Sequence, residues 1–187
     1  FRCGVRSYFL TPAAPQLDLG AGDSFAVEAW IKPDALTTSQ SLIEWSGTRT
    51  IEGVGLMIST NALLGFLTDT NVQPARTVIF RSPAGTLPKG GGWQHVGLTY
   101  EKNAGVAKLF HNGQLVAQTN VGAIRPHTAP PLYFGGFHSS TTLLRNYYEG
   151  GLDEIALYDR AITSNEILSL YNAGAAGRCG ATPTIVP

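Results

Sequence analysis

Charge of one sign, sulfur and long apolar stretches are all scarce in this sequence. Thirteen Lys and Arg residues balance thirteen Asp and Glu residues among 187 positions, and charged residues make up only 14% of the chain. Folded proteins usually carry about 25%. Since no basic field is present, we do not expect the protein to bind nucleic acid. No apolar run comes near the ~20 residues that a membrane helix needs, so we do not expect insertion into a membrane.

Cysteine occurs twice, as Cys3 and Cys179. The two residues are too few and too far apart for a CxxC zinc or redox motif. Two interpretations stay open, namely two buried free thiols or a disulfide that joins the ends of the chain. A disulfide would stabilise the fold by up to ~5 kcal/mol in the chain-entropy model. It would also indicate an oxidising location, secreted or at the cell surface.

Turn formers and β-forming residues are abundant in the chain. It contains 22 Gly and 11 Pro, and its many Val, Thr and aromatic residues are typical of all-β proteins. Short strand candidates follow one another with Gly, Pro, Asn or Asp between them. They cover about 5–10, 25–33, 41–46, 53–60, 63–68, 76–82, 93–101, 105–111, 114–121, 131–135 and 149–159. No helices separate them, so they predict a sandwich of two antiparallel sheets.

Three local signals refine this prediction. Residues 25–31 alternate in period two, which places Phe25 and Val27 on one face and Glu28 on the other. The pair Asn112-Gly113 lies between two strand candidates and predicts a type I′ hairpin turn. The stretch 163–166 reads as a capping box that opens one short helix, and Gly174 would end it.

Four segments of the chain resemble the laminin-G-like, concanavalin-A-like jelly-roll modules of bacterial surface proteins, and they occur in that family's order. They are DSFAVEAWIKP at 23–33, WQHVGLTY at 93–100, LFHNGQLV at 109–116 and GGLDEIALYDRAI at 150–162. The resemblance implies an all-β, two-sheet antiparallel jelly-roll sandwich with one short C-terminal helix. We expect one such domain over residues 1–179, followed by an extension or linker over 180–187. The resemblance also assigns Trp30 and Trp93 to packing within the core or on a sheet face.

Enzyme chemistry has no support in the sequence. Sandwich glycosidases use paired carboxylates on one strand, and the Glu-x-Asp-x-Glu pattern is absent. Asp153 and Glu154 are adjacent, so on a regular strand they would point to opposite faces. The four histidines lack metal-ligand spacing, and no Gly-x-Ser-x-Gly elbow is present. We therefore expect a protein that is not an enzyme.

Sugar binding is the most common role in modules of this kind. Aromatic rings stack on the C–H faces of pyranoses, while polar groups bind the hydroxyls. The densest set of such residues lies in a long loop between strands, where function is often carried. The predicted ligand-binding residues are Trp45, Phe137, His138, Arg145, Asn146, Tyr147 and Tyr148. Packing of one of the two adjacent tyrosines inward is the alternative for that pair.

A Ca²⁺ ion is the one cofactor that the resemblance implies. Modules of this type often hold one at the rim of the sandwich, and the resemblance selects Asp153 as its ligand. Carbonyl groups near Arg2 would complete the site if the chain ends meet. The alternative is that Asp153 only forms a hydrogen bond within a loop.

Two functions are therefore predicted. The first is a non-catalytic carbohydrate- or matrix-binding module of a secreted or cell-surface protein, with a glycan or an extracellular protein as its partner. The second is a structural or adhesive subunit that associates with itself through exposed strand edges and the terminal arm.

Overall fold

The computed structural model describes residues 2–3, 7–47, 52–138 and 144–174. These residues form fourteen strands, two 3-10 turns and one α-helix. The strands are β1 (Arg2–Cys3), β2 (Phe9–Thr11), β3 (Ser24–Pro33), β4 (Gln40–Ser46), β5 (Glu52–Ser59), β6 (Ala62–Asp69), β7 (Arg76–Arg81), β8 (Gln94–Glu101), β9 (Val106–His111), β10 (Gln114–Asn120), β11 (Leu132–Phe134), β12 (Phe137–His138), β13 (Leu144–Arg145) and β14 (Gly150–Tyr158). The 3-10 turns cover Pro15–Leu17 and Leu19–Ala21, and α1 covers Ser164–Ala173.

Two six-stranded sheets form the body of the molecule. Sheet A has the strand order β1-β14-β3-β8-β9-β10, and sheet B has the order β2-β11-β4-β5-β6-β7. Every strand pairing within them is antiparallel. The predicted all-β, two-sheet sandwich with one short helix is therefore confirmed. The short pair β12-β13 lies between β11 and β14 in the chain.

The core lies between the two sheets. Phe25, Val27, Ala29 and Ile31 of β3 are buried there, as their alternation predicts. The facing residues of sheet B include Leu42, Trp45, Leu56, Ile58, Leu63 and Leu67, all of them completely or almost completely buried. The remaining side chains of β3 point to the outer face of sheet A.

Helix α1 covers part of that outer face. Thr163 accepts the N–H of Glu166 and the Glu166 side chain accepts the N–H of Thr163, so the predicted capping box is present. Ile167 packs with Ala26 and Phe110 in a small second cluster. The helix thereby closes the middle of the outer face and leaves the β1 end of the sheet open.

Local turns follow their sequence signals. Asn112 and Gly113 both have positive φ, at 49° and 79°, which the predicted hairpin between β9 and β10 requires. Among the described residues, no helix is long and apolar enough to cross a membrane.

Candidate functional site

The predicted binding loop, residues 135–148, is attached to β4 at both ends. The N–H of Gly135 donates to the carbonyl of Leu42 at 3.0 Å, and the N–H of Ser41 donates to the carbonyl of Asn146 at 2.7 Å. These bonds hold the loop against sheet B. Residues 139–143 lie outside the described part of the chain.

The predicted binding residues of this loop differ in whether the structure describes their side chains. The side chains of Phe137, His138 and Arg145 lie outside the described part of the structure, so their roles stay predictions. Asn146 and Tyr147 are half-buried and reach the surface, and their roles also stay predictions.

Trp45 was predicted to bind ligand, and that prediction is wrong. Its ring is 0% exposed, because β4 lies inside sheet B and turns this side chain towards sheet A. The indole Nε1–H donates to the carbonyl of Leu17 at 3.0 Å, and the ring meets Phe25 edge-on at 6.4 Å between centroids. Trp45 is thus a core residue with no free face for a sugar.

Tyr148 is also buried, at 0% exposure, so its predicted ligand-binding role is wrong as well. Its hydroxyl donates to the carbonyl of Gly151 at 3.0 Å, and burial raises the pKa of the phenol above its usual value. Of the two adjacent tyrosines, Tyr148 packs inward and Tyr147 does not, as the alternative interpretation of the pair stated.

A small tyrosine cluster surrounds Gly136. A methyl group on Gly136 would come within 3.3 Å of Tyr8 and 3.5 Å of Tyr147. The ring of Tyr8, which is partly exposed, lies 5.9 Å from the buried ring of Tyr133. Tyr8 was not predicted to take part, because its position beside the loop depends on the pairing of β2 with β11.

A row of residues crosses the outer face of sheet A beyond the helix. Arg2 pairs with Gly151, and Gly151 pairs with Lys32. Lys32 follows the core residue Ile31, so its side chain points outward. Trp93 comes one residue before β8, whose first residue pairs with Ile31. The row therefore brings together residues from four separate parts of the chain.

These four residues, with Asp34 and Asp153, line a groove of about 350 Å³. That volume falls within the range of roughly 300–1,000 Å³ that small-ligand sites occupy. The Arg2 guanidinium Nη2 forms an ion pair with Asp34 Oδ2 at 2.9 Å, and both side chains are exposed. We call this site the Trp93 groove.

Trp93 forms the aromatic wall of the Trp93 groove. It is 45% exposed, although the sequence assigned it to packing. A methyl group on Gly151 would come within 2.6 Å of its Cη2 atom, so the missing side chain at Gly151 lets the indole lie against β14. The sequence signal for this exposure is the run of three glycines before Trp93, residues 90–92, because glycines have no side chain to cover the indole.

Asp153 enters the groove at a β-bulge. The pairing of β14 with β3 shifts register between Asp153 and Ala156, and Glu154 has a φ of 49°. Asp153 Oδ1 accepts the N–H of Glu154 at 3.0 Å. The strict alternation assumed for this acidic pair is therefore wrong, because bulges re-aim side chains locally.

The predicted Ca²⁺ ligand Asp153 lines the same groove as Arg2. Carbonyl groups near Arg2 were expected to complete the site. However, the described residues contain no group of three or more side chains that could hold a metal ion. The Arg2 guanidinium also brings a positive charge into the same groove. The described side chains therefore do not by themselves supply a set of Ca²⁺ ligands around Asp153, and its Ca²⁺ role stays a prediction.

Cys3 lies in β1 next to this groove and is buried. Burial raises the pKa of its thiol to about 11. Its predicted disulfide partner Cys179 lies outside the described residues, so the bridge stays a prediction.

A buried polar network lies under α1. Glu28 and His95 are 2% and 1% exposed. His95 Nε2 makes a very short contact with one carboxylate oxygen of Glu28, and the Tyr158 hydroxyl donates to the other at 2.8 Å. This pair of titratable groups is shielded from solvent, so it supports the fold and does not form a site.

Comparisons with known proteins agree on the fold. A laminin-G family described as the concanavalin A-like lectin/glucanases superfamily matches residues 4–168. No curated protein sequence matches the chain.

Several solved structures have the same architecture at low sequence identity. The CBM40 domain of the Ruminococcus gnavus IT-sialidase has a TM-score of 0.67 and 18% identity, over 91% of this chain and 97% of that one. The SAP-like pentraxin of Limulus polyphemus has a TM-score of 0.66 and 14% identity, over 95% and 82%. The binding domain of botulinum neurotoxin DC, solved with rat synaptotagmin II, has a TM-score of 0.67 and 14% identity. The match covers 92% of this chain but only 42% of the toxin domain. With a jelly-roll sandwich of two six-stranded sheets and a family match over most of its length, this chain belongs to the concanavalin A-like lectin/glucanases superfamily.

Proposed function

We propose that this chain is a non-catalytic carbohydrate-binding module and that the Trp93 groove holds the sugar. The observation that carries the proposal is the exposed indole of Trp93, which lies against Gly151 with charged side chains on either side. The exposed part of the Trp93 ring is in contact with water, and a ligand that stacks on the ring would remove this contact. Burial of the ring would therefore favour binding.

The groove offers both kinds of interaction that a sugar needs. The apolar C–H face of a pyranose can stack on the indole. Lys32 supplies ammonium donors, and the carboxylates of Asp34 and Asp153 supply acceptors for hydroxyl groups. A flat aromatic wall with a few polar groups is the usual composition of small-ligand sites.

The ligands found in two similar structures support this proposal. The CBM40 domain has been solved with alpha2,3 sialyllactose, and the ligand-binding domain of botulinum neurotoxin D has been solved with N-acetylneuraminic acid. Both share the sandwich with this chain at low identity, which supports a binding role on this fold.

The acidic residues of the groove argue against hydrolysis. Asp153 pairs with Trp30, whereas Asp34 comes four residues later in the chain, beyond the end of β3. Retaining glycosidases need carboxyl groups about 5–5.5 Å apart, and inverting ones about 6.5–9.5 Å. In addition, Asp34 is held in an ion pair with Arg2.

A glycan array followed by calorimetry tests the proposal. We expect at least one saccharide to bind, and Trp93→Ala to weaken that binding at least tenfold, which corresponds to about 1.4 kcal/mol. Tyr147→Ala is the matched variant, because it removes an aromatic ring from the predicted loop site. Loss of binding in Tyr147→Ala alone would move the site to the loop, and the absence of any ligand for the folded protein would contradict the proposal.

Self-association is a second candidate function, supported by the exposed edge of sheet B. In the described part of the chain, β2 has a neighbouring strand on one side only. Leu10 is 46% exposed on it. A second copy could pair with this edge through its main chain. Sedimentation velocity over a concentration series would show dimers or larger species that Leu10→Lys abolishes, and a monomer at every concentration would refute this function.

A location outside the cytoplasm belongs to the same proposal. It is supported by the predicted bridge between Cys3 and Cys179, since disulfides persist in oxidising compartments. Intact mass measured with and without reduction, on protein purified from its native source, should differ by two hydrogen atoms, because each thiol gains one. An unchanged mass, with two thiols that alkylate after unfolding, would refute the bridge.

A further inference from the structure

The charges in the Trp93 groove cancel one another. The groove is lined by two cationic side chains, Arg2 and Lys32, and by two anionic ones, Asp34 and Asp153. Arg2 and Asp34 neutralise each other in their ion pair. Among the described residues, neither Lys32 nor Asp153 takes part in an ion pair within 4 Å. One free ammonium and one free carboxylate are therefore left to meet a ligand.

The sheet register places these two free groups on the same face. Lys32 pairs with Gly151, and Asp153 lies two residues further along β14. They are diagonal neighbours across two strands, a separation of roughly 7–8 Å between α-carbons. The bulge that follows Asp153 keeps its Oδ1 occupied by the N–H of Glu154, which leaves the other carboxylate oxygen for a ligand.

A pair of this kind suits neutral sugars. An ammonium group only donates hydrogen bonds and an ionised carboxylate only accepts them, whereas each hydroxyl both donates and accepts. Neighbouring hydroxyls on one ring can therefore accept from Lys32 and donate to Asp153 while the ring stacks on Trp93. The carboxylate of an acidic sugar would gain Lys32 but would meet the like charge of Asp153, and like charges at close range cost free energy.

Resting on the proposed function, we propose that the Trp93 groove selects neutral pyranosides over acidic ones, with Lys32 and Asp153 as the hydroxyl-binding pair. The selectivity comes from a groove with no net charge.

The experiment compares ligands that differ by one acidic sugar. Lactose and alpha2,3 sialyllactose form one such pair, and the neutral and uronic-acid forms of any oligosaccharide that the array identifies form another. In whichever pair shows binding, we expect the neutral ligand to bind at least tenfold more tightly than its acidic counterpart. The affinity for the neutral ligand should persist at high salt, because its contacts are hydrogen bonds between the groove and uncharged hydroxyls. The discrimination against the acidic ligand should shrink, because salt screens the repulsion from Asp153.

Three variants test the role of the Asp153 charge. Asp153→Asn should weaken the binding of neutral sugars several-fold and reduce the discrimination against acidic sugars. Asp153→Lys should reverse the preference, since the groove then carries a net positive charge. Lys89→Gln, at an exposed lysine outside the groove, is the control for a change of surface charge. It should change neither the affinity for neutral sugars nor the discrimination against acidic ones. Circular dichroism confirms that each variant is folded.

The outcomes separate the two proposals. If acidic ligands bind as tightly as neutral ones and Trp93→Ala abolishes both, the charge selectivity is wrong while sugar binding in the groove stands. If Asp153→Lys leaves the preference unchanged, Asp153 does not face the ligand and the inference is also overturned. If no saccharide binds, or if binding survives Trp93→Ala, both proposals fail.

Discussion

Replacing Glu28 with leucine is expected to destabilise the protein far more than a surface substitution does. Glu28 and His95 are almost completely buried under α1, and the carboxylate accepts hydrogen bonds from both His95 and Tyr158. Glu28→Leu removes that acceptor from the buried His95 and from the half-buried Tyr158 hydroxyl.

The magnitude follows from the burial of the pair. Leaving the buried His95 without its hydrogen-bond partner costs about 1–3 kcal/mol, and losing the bond to Tyr158 adds about 0.5–1.5 kcal/mol. A domain of this size has ~5–15 kcal/mol of total stability. The expected loss of about 1.5–4.5 kcal/mol corresponds to a fall in Tm of about 3–18 °C at roughly 2–4 °C per kcal/mol.

Urea denaturation of four variants measures this effect. Glu28→Leu and His95→Leu should each lower the free energy of unfolding by several kcal/mol. The double variant should lose about 1–3 kcal/mol less than the sum of the two, because the partners depend on each other. Glu101→Leu, at an exposed position, is the control and should change stability by no more than about 0.5 kcal/mol. Single losses below about 1 kcal/mol, or strictly additive losses, would refute the reasoning.

Three further predictions concern the core, the groove and the helix. Trp45→Ala should cost about 3–5 kcal/mol in urea denaturation, because a fully buried ring is removed; a loss below 1 kcal/mol would contradict this. Gly151→Ala should displace the indole of Trp93 and weaken sugar binding while stability changes little, as calorimetry and denaturation together would show. The hydrogen bond from Arg160 lowers the pKa of Glu166 to about 2 from 4.5, so the stabilisation of α1 is complete above pH 4.5 and is lost as the pH falls towards 2. Amide exchange in α1 should follow this change, and Glu166→Gln should remove it.

Local features of this fold could be predicted from the sequence because their causes are local. The apolar face of β3 follows from period-two alternation, which requires only the strand's own residues. The hairpin at Asn112 follows from the positive φ that the turn needs. The capping box at Thr163 forms between residues three positions apart. In each case the chemistry that sets the structure lies within one short segment.

The candidate site could not be predicted because it is assembled from distant segments. The Trp93 groove depends on the order β1-β14-β3-β8 in sheet A, which no local pattern encodes. The ligand-binding role was therefore assigned to Trp45 and not to Trp93. Trp45 was expected to bind a ligand and lies in the core. Trp93 was expected to pack in the core or on a sheet face, and it lies against Gly151 on the outer face of sheet A while staying 45% exposed. Glu154 was placed on a regular strand with Asp153, although a bulge follows Asp153 and interrupts the alternation.

The most direct test of the proposed role is an NMR titration of the indole N–H signals with the saccharide that binds most tightly. The chain has three tryptophans, and their environments differ. Trp93 lines the groove, whereas the Trp45 indole is bonded to Leu17 in the core. We predict that the Trp93 signal shifts in a saturable manner while the Trp45 signal does not move. A saturable titration in which the Trp93 signal stays fixed would contradict sugar binding in this groove.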